Sequence, residues 1–208
     1  MTADFRINGT RLWDSIMEMA KIDALPNGGC GRLALTDGDR EARDLFRQWC
    51  EDAGCDVTHD RLGNMFARRA GRNPTLVPIA IGSHLDTQPH GGKFDGVYGV
   101  MAGLEVVRTL NDLGIETEAP IEVVNWTNEE GTRFAPAMLA SGVFAGIHSQ
   151  DFAYSRSDAE GKLFGDELKR IGWVGDEPVG ARKMHAMLEL HIEQGPILEA
   201  EGHDVGVV

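Results

Sequence analysis

The residues of this chain whose types and spacing can do chemistry fall in three places: His84, Asp86 and Asp95; then Glu129 and Glu130; then His191 and Gln194. The His-x-Asp spacing matches the two-residue period of a strand, so His84 and Asp86 share a face. Imidazole is a borderline-soft metal ligand, a carboxylate can bind one ion or bridge two, and a further carboxylate can orient the imidazole's other N–H. Two adjacent glutamates raise one another's pKa unless something positive receives them. A cation does so, and it leaves one carboxylate free to act as a base. The chemistry is therefore divalent-metal binding coupled to proton transfer. The plainer readings stay open: a strand-turn-helix with a solvated histidine and two capping aspartates, and a Glu-Glu pair in a solvated turn.

These residues must be positioned by strands. The apolar run over residues 77–81 predicts a buried strand that ends at His84 and Asp86. After a turn containing Gly91, Gly92 and Gly96, Asp95 stands before a helix expected over 100–113, with Val100, Leu104 and Val107 on its buried side. A second strand over 120–126 delivers Asn125, Thr127, Asn128, Glu129 and Glu130 at its end. A third over 187–192 ends in His191, Glu193 and Gln194, and Pro196 opens a short helix at 197–199. In open α/β sheets the crevice beyond the carboxyl ends of the strands is where ligands bind.

The remaining elements follow the same logic. Helices are expected over 11–22, capped by Asn8 or Thr10, and over 37–53, capped by Asp37 or Asp39 and ended by Gly54. Residues 55–58 and 64–69 predict a hairpin with His59 in its loop, residues 133–146 short helical turns over the site, residues 158–171 a helix, and residues 204–208 the start of another strand. The alternation predicts an α/β fold, a largely parallel sheet flanked by helices.

In 208 residues, 42% hydrophobic content is ample for a core, and a formal net charge of -13 argues against nucleic-acid or anionic-membrane partners, which need a basic face. Three cysteines, an odd count without zinc-type pairing, point to a reducing compartment. The first 16 residues lack a basic stretch followed by an apolar run, and no segment approaches a membrane span. A cytoplasmic location is expected.

SHLDT at 83–87, GGKFDGVYGV at 91–100, NEEGTRF at 128–134 and LELHIEQGPILE at 188–199 closely resemble the two-metal amidohydrolases of the aminoacylase and carboxypeptidase superfamily. Within it they look most like N-carbamoyl-L-amino acid hydrolases, β-ureidopropionases and allantoate amidohydrolases. The resemblance implies a zinc-exopeptidase architecture with two divalent ions, for which zinc, manganese, cobalt and nickel all suit mixed imidazole and carboxylate ligands. It implies that His84 and His191 bind one metal, Asp95 bridges both, Glu130 binds the other, Asp86 orients His84 and Glu129 is the general base. Gln194 is expected to hold the substrate, or else to brace the turn at Gly195-Pro196. The implied substrate is a small ureido or carbamoyl acid, an N-carbamoyl-L-amino acid first and allantoate second. A non-catalytic binding module built from a truncated hydrolase is the rival from another class. Members of the family are about twice as long, so residues 1–208 are expected to match the N-terminal portion of the catalytic, metal-binding domain. The lid or dimerisation domain and a return segment with a further metal-binding histidine are absent from it, His203 is not matched to that histidine, and the full-length form is expected to be a homodimer.

Overall fold

The computed structural model describes residues 5–208, so the first four residues of the N-terminal stretch read above lie outside it. Residues 121–126 (IEVVNW) form a strand buried at every position, the signature of a strand covered on both faces. Around this strand, β4 (Ile121–Trp126), the sheet assembles in the order β1 (Asp56–His59), β2 (Met65–Arg69), β4, β3 (Ile79–His84), β5 (Ala186–Leu188). β3 pairs in parallel with both β4 and β5. β1 pairs with β2, and β2 with β4, antiparallel. The sheet is thus mixed, with its parallel half made of the three strands expected to carry the site. The hairpin accounts for the antiparallel β1–β2 pair, because a connection as short as residues 60–64 can only return the chain antiparallel. His59, expected in the hairpin loop, closes β1 and packs its ring 4.9 Å from that of Trp173.

Helices α1 (Gly9–Met19), α2 (Asp37–Asp52) and α3 (Val97–Asp112) pack on one face of the sheet, where Leu12, Ile16, Phe46, Leu104 and Val107 join Met65, Ala67 and Val123 in the main core. Phe66, Ala80, Val124 and Trp126 face the other side, covered by Phe144 and Met184. Asn8 caps α1 as expected, accepting from the N–H of Arg11. Thr36, and neither aspartate, caps α2. Asp39 is turned inward instead, where it accepts from Arg43 Nε at 3.0 Å and from the N–H of Leu35 at 2.8 Å.

Between β4 and β5 lie α4 (Leu139–Phe144), α5 (Gln150–Tyr154) and α6 (Phe164–Arg170), and α7 (Ile197–Glu201) follows β5. The helix expected over 158–171 is confined to α6. Asp158 accepts from the N–H groups of Glu160 and Lys162, which closes a tight turn in place of a first helical turn. The third site-bearing strand stops at Leu188, whose partner on β3 is Ile81, and residues 204–208 form no strand. Among the described residues no helix is long and apolar enough to cross a membrane. All three cysteines are buried and free.

Candidate metal centre

His84 is the last residue of β3 and is buried to 1% exposure. Its Nδ1 lies 2.8 Å from the backbone carbonyl of Asp86, so Nδ1–H donates there and Nε2 keeps its lone pair. The ring fits only because residue 96 is glycine. Gly96 has φ +67°, and a Cβ there would sit 2.4 Å from three atoms of the imidazole. Asp95, just before that glycine, places Oδ1 3.7 Å from His84 Nε2 and 3.1 Å from His191 Nε2. His191 Nδ1 is 2.9 Å from the carbonyl of Ile192, and its ring centroid is 5.8 Å from that of His84. His84, Asp95 and His191 each offer one ligand atom, all within 4.8 Å of one another.

These side chains fit a cation. His84 Nε2, Asp95 Oδ1 and Glu130 Oε1 are buried, and none has a hydrogen-bond partner. Such groups cost free energy when desolvated unless something positive compensates them. A divalent ion suits two imidazoles and a carboxylate.

Glu129 brings Oε2 to 3.5 Å from His84 Nε2. Burial pushes its pKa up, against the opposing pull of His84, which favours a carboxylate able to accept and return a proton. Glu130 is adjacent but outside the three-residue group: its Oε2 accepts from Gln88 Nε2 at 2.5 Å, and Oε1 is the unpartnered atom. Asp86 meets His84 through its backbone carbonyl. Its carboxylate accepts the N–H groups of Glu129 and Glu130, at 3.2 Å each, while Oδ1 stays 3.9 Å from His84 Nδ1. The imidazole is oriented by the carbonyl of Asp86, and the carboxylate clamps the glutamate turn. Full burial pushes that carboxyl up to about 6, with His84 opposing. Burial alone would pull His84 down, but Asp86 and Glu129 outweigh it and its pKa is raised. Gln194, in the left-handed region at φ 58°, donates Nε2 to Asp95 Oδ2 at 2.6 Å.

The turn that carries the glutamates is held from beneath by residues that spacing did not single out. Arg43 donates to the carbonyl of Gly63 and to Thr127 Oγ1, and Asn64 Oδ1 accepts the N–H of Thr127. Gln88 was likewise missed, although it lies two residues beyond Asp86 in the same strand-end loop. A surface cavity of about 730 Å³ between α1, α2 and α3 shares no residue with this centre.

Fold and site together define an α/β protein with a histidine and carboxylate centre at the carboxyl ends of parallel strands. The chain belongs to peptidase family M20/M25/M40, whose family model matches residues 80–208. It is 66% identical over 203 residues to an N-carbamoyl-L-amino-acid amidohydrolase of Rhizobium meliloti, covering 98% of this chain and 49% of that one. A ureidoglycolate hydrolase of Arabidopsis thaliana is 33% identical, with 100% and 46% covered. The crystal structure of an amidase of the hydantoinase/carbamoylase family from Burkholderia multivorans superposes with a TM-score of 0.95 at 62% identity, over 96% of this chain and 49% of that one. The chain spans about half the length of the relatives it matches.

Proposed function

We propose that this chain carries the water-activating half of a metal-dependent hydrolase that cleaves the ureido C–N bond of N-carbamoyl-L-amino acids. The observation that carries the reading is the meeting of Glu129 with His84, Asp95 and His191: a base 3.5 Å from a ligand atom of a cluster that fits a cation. His84, His191 and Asp95 would hold one ion, and Asp95 and Glu130 the other. Zinc, manganese, cobalt and nickel all suit such ligands. Ions bound there would polarise the ureido carbonyl and lower the pKa of a water.

Glu129 accepts the water's proton as the oxygen attacks the ureido carbon, and returns it to the amino acid's nitrogen as the C–N bond breaks. The products are the free amino acid and carbamate, which falls to carbon dioxide and ammonia. Asp86 keeps Glu129 and Glu130 in register with His84. Gln194 donates to Asp95, and its side-chain carbonyl can accept an N–H of the ureido group. The groups that grip the substrate's carboxylate, and the contacts of a homodimer, belong in this reading to the half of the relatives that the chain does not span. Three free, buried cysteines suit a reducing compartment such as the cytoplasm.

Identity of 66% with a carbamoyl-amino-acid amidohydrolase against 33% with a ureidoglycolate hydrolase supports the carbamoyl substrate. The test is metal content of the purified chain, followed by hydrolysis of N-carbamoyl-L-amino acids and of allantoate by the protein extended to the length of its relatives. There Glu129→Gln is expected to keep metal and lose about 10²–10⁴ in turnover. A chain that takes up no divalent ion sinks the reading, and preference for allantoate moves it to the second substrate.

A further inference from the structure

We infer that Gln88 is a positioning residue for Glu130, and that Thr132 holds the Gln88 side chain in place for that task. The inference rests on the metal-binding reading above and extends it to residues outside the ligand set. Gln88 lies in the loop after β3, and Glu130 and Thr132 lie in the turn after β4. Gln88 Nε2 donates to Glu130 Oε2 at 2.5 Å, and Thr132 Oγ1 donates to Gln88 Oε1 at 2.6 Å. The Glu130 carboxylate, an acceptor only, fixes the amide's sense, since a flip would set the amide carbonyl against it, and the Thr132 hydroxyl then donates to Gln88 Oε1 and holds the side chain in place.

The consequence falls on Glu130. With Oε2 occupied, Oε1 is left buried and unpartnered. A terminal carboxylate torsion is otherwise broad, so an unpinned Glu130 would turn freely between one-oxygen and two-oxygen binding. Asp95 is treated in the same manner by a different loop: Gln194 occupies Oδ2, and Oδ1 is buried and unpartnered. The Gln88–Glu130 bond is solvent-exposed and so adds little to folding, which leaves ligand orientation as its effect.

The experiment is calorimetric titration of Zn²⁺ into the metal-free 208-residue chain as wild type, Gln88→Leu, Thr132→Val, Glu130→Gln and the Gln88→Leu/Glu130→Gln double variant, each with its metal-free melting temperature. Loss of an outer-shell partner typically weakens a metal site about 10–100-fold, and Gln88→Leu is expected to do so for the ion that Glu130→Gln also weakens. Thr132→Val should act in the same direction and less, melting should hardly change, and Gln88→Leu should add nothing once Glu130 is replaced. Wild-type affinity in both Gln88→Leu and Thr132→Val, or an undiminished effect of Gln88→Leu in the Glu130→Gln background, overturns the inference alone. So does a fall in melting temperature that accounts for the lost affinity. If Gln88→Leu fails to fold, Thr132→Val carries the test. A wild-type chain that binds no Zn²⁺, Mn²⁺ or Co²⁺ overturns the metal-binding reading, and this inference with it.

Discussion

Replacing Gly96 by alanine perturbs the centre without touching any of its ligands. Two separate costs arise. The backbone at φ +67° lies in the left-handed region, which costs an L-residue about 1–2 kcal/mol, partly offset by about 0.4–1 kcal/mol from a less flexible unfolded chain. The added methyl would also lie 2.4 Å from Nδ1, Cε1 and Nε2 of His84. Ordinary carbon contacts are about 3.5–4.0 Å, so the ring must retreat by about 1 Å. It has nowhere to go cheaply, being 1% exposed and bonded to the Asp86 carbonyl. Overpacking of this kind costs about 1–3 kcal/mol, for a net loss of about 2–4 kcal/mol.

Two other glycines separate the terms. Gly114 has φ +62° and no atom within 4 Å of a built Cβ, so Gly114→Ala carries strain alone. Gly92 has open space and no positive φ, so Gly92→Ala should stay within about 0.5 kcal/mol of wild type. Urea unfolding of the three variants, with Zn²⁺ titration of each, reads both effects. Gly96→Ala should be the least stable and the only one of the three to lose metal affinity, because only there is a ligand displaced. If it matches Gly114→Ala in stability and binds metal like wild type, the packing of Gly96 against His84 does not set the site.

Arg43→Met strands the buried Asp39 carboxylate and frees Thr127, and breaking a buried pair from one side costs about 3–5 kcal/mol; a loss under about 1 kcal/mol in urea unfolding would show the pair to be idle. Burial pushes Glu105 up, yet hydrogen bonds from Arg11 and the Asn8 N–H outweigh it and hold its pKa below the ordinary 4.5, and Arg133 and Arg170 do likewise for Glu167. Folded pKa values below unfolded ones give stability that is present above pH 4.5 and lost as pH falls through the folded values, so the urea midpoint should drop steadily in that acid range. Burial pushes the Cys55 thiol up to about 11 and raises Cys50 as well, so a thiol reagent at neutral pH should label them only as fast as the chain unfolds; rapid labelling of the native chain would contradict their burial.

What the sequence made legible follows from burial. Runs such as residues 77–81 and 120–126 read as strands because a strand covered on both faces is mostly apolar, and polar residues at the end of such a run mark where it leaves the core. That logic marked His84 and Glu129, but the strand expected to carry His191 stops at Leu188, and Glu130, expected to join His84, Asp95 and His191, stays outside their group. The same logic could not say which atoms of a residue do the work. Asp86 has a carbonyl and a carboxylate, and spacing alone does not reveal that the first holds His84 while the second clamps Glu129 and Glu130. Thr36 displaced two aspartates as a cap, and Asp158 closed a turn inside an expected helix, for the same reason: short polar side chains choose among nearby N–H groups by local geometry that residue type does not specify.

His191 shows how a site can be built beyond the reach of a strand. β5 pairs with β3 only as far as Leu188, three residues short of the histidine, so ladder hydrogen bonds do not position it. Side chains and a close approach take over. Ser83 Oγ donates to Glu189 Oε1 at 2.5 Å, tying the departing chain to the strand that bears His84. The next carbonyl, that of Leu190, comes so near α3 that a Cβ on Gly99 would be 2.6 Å from it. With the chain held at 189 and 190, His191 reaches the same Asp95 oxygen that faces His84. Gly99 and Ser83 are thus as necessary to the geometry as the ligands they adjoin. A methyl at residue 99 should push Leu190 outward and carry His191 with it, and it would also lie 2.8 Å from Ser83 Cβ, on the strand that bears His84. Gly99→Ala should therefore weaken Zn²⁺ binding and shift the His191 ring resonances, and a variant with wild-type Zn²⁺ affinity and unmoved His191 resonances would show that the close approach at residue 99 does not hold His191 in the site.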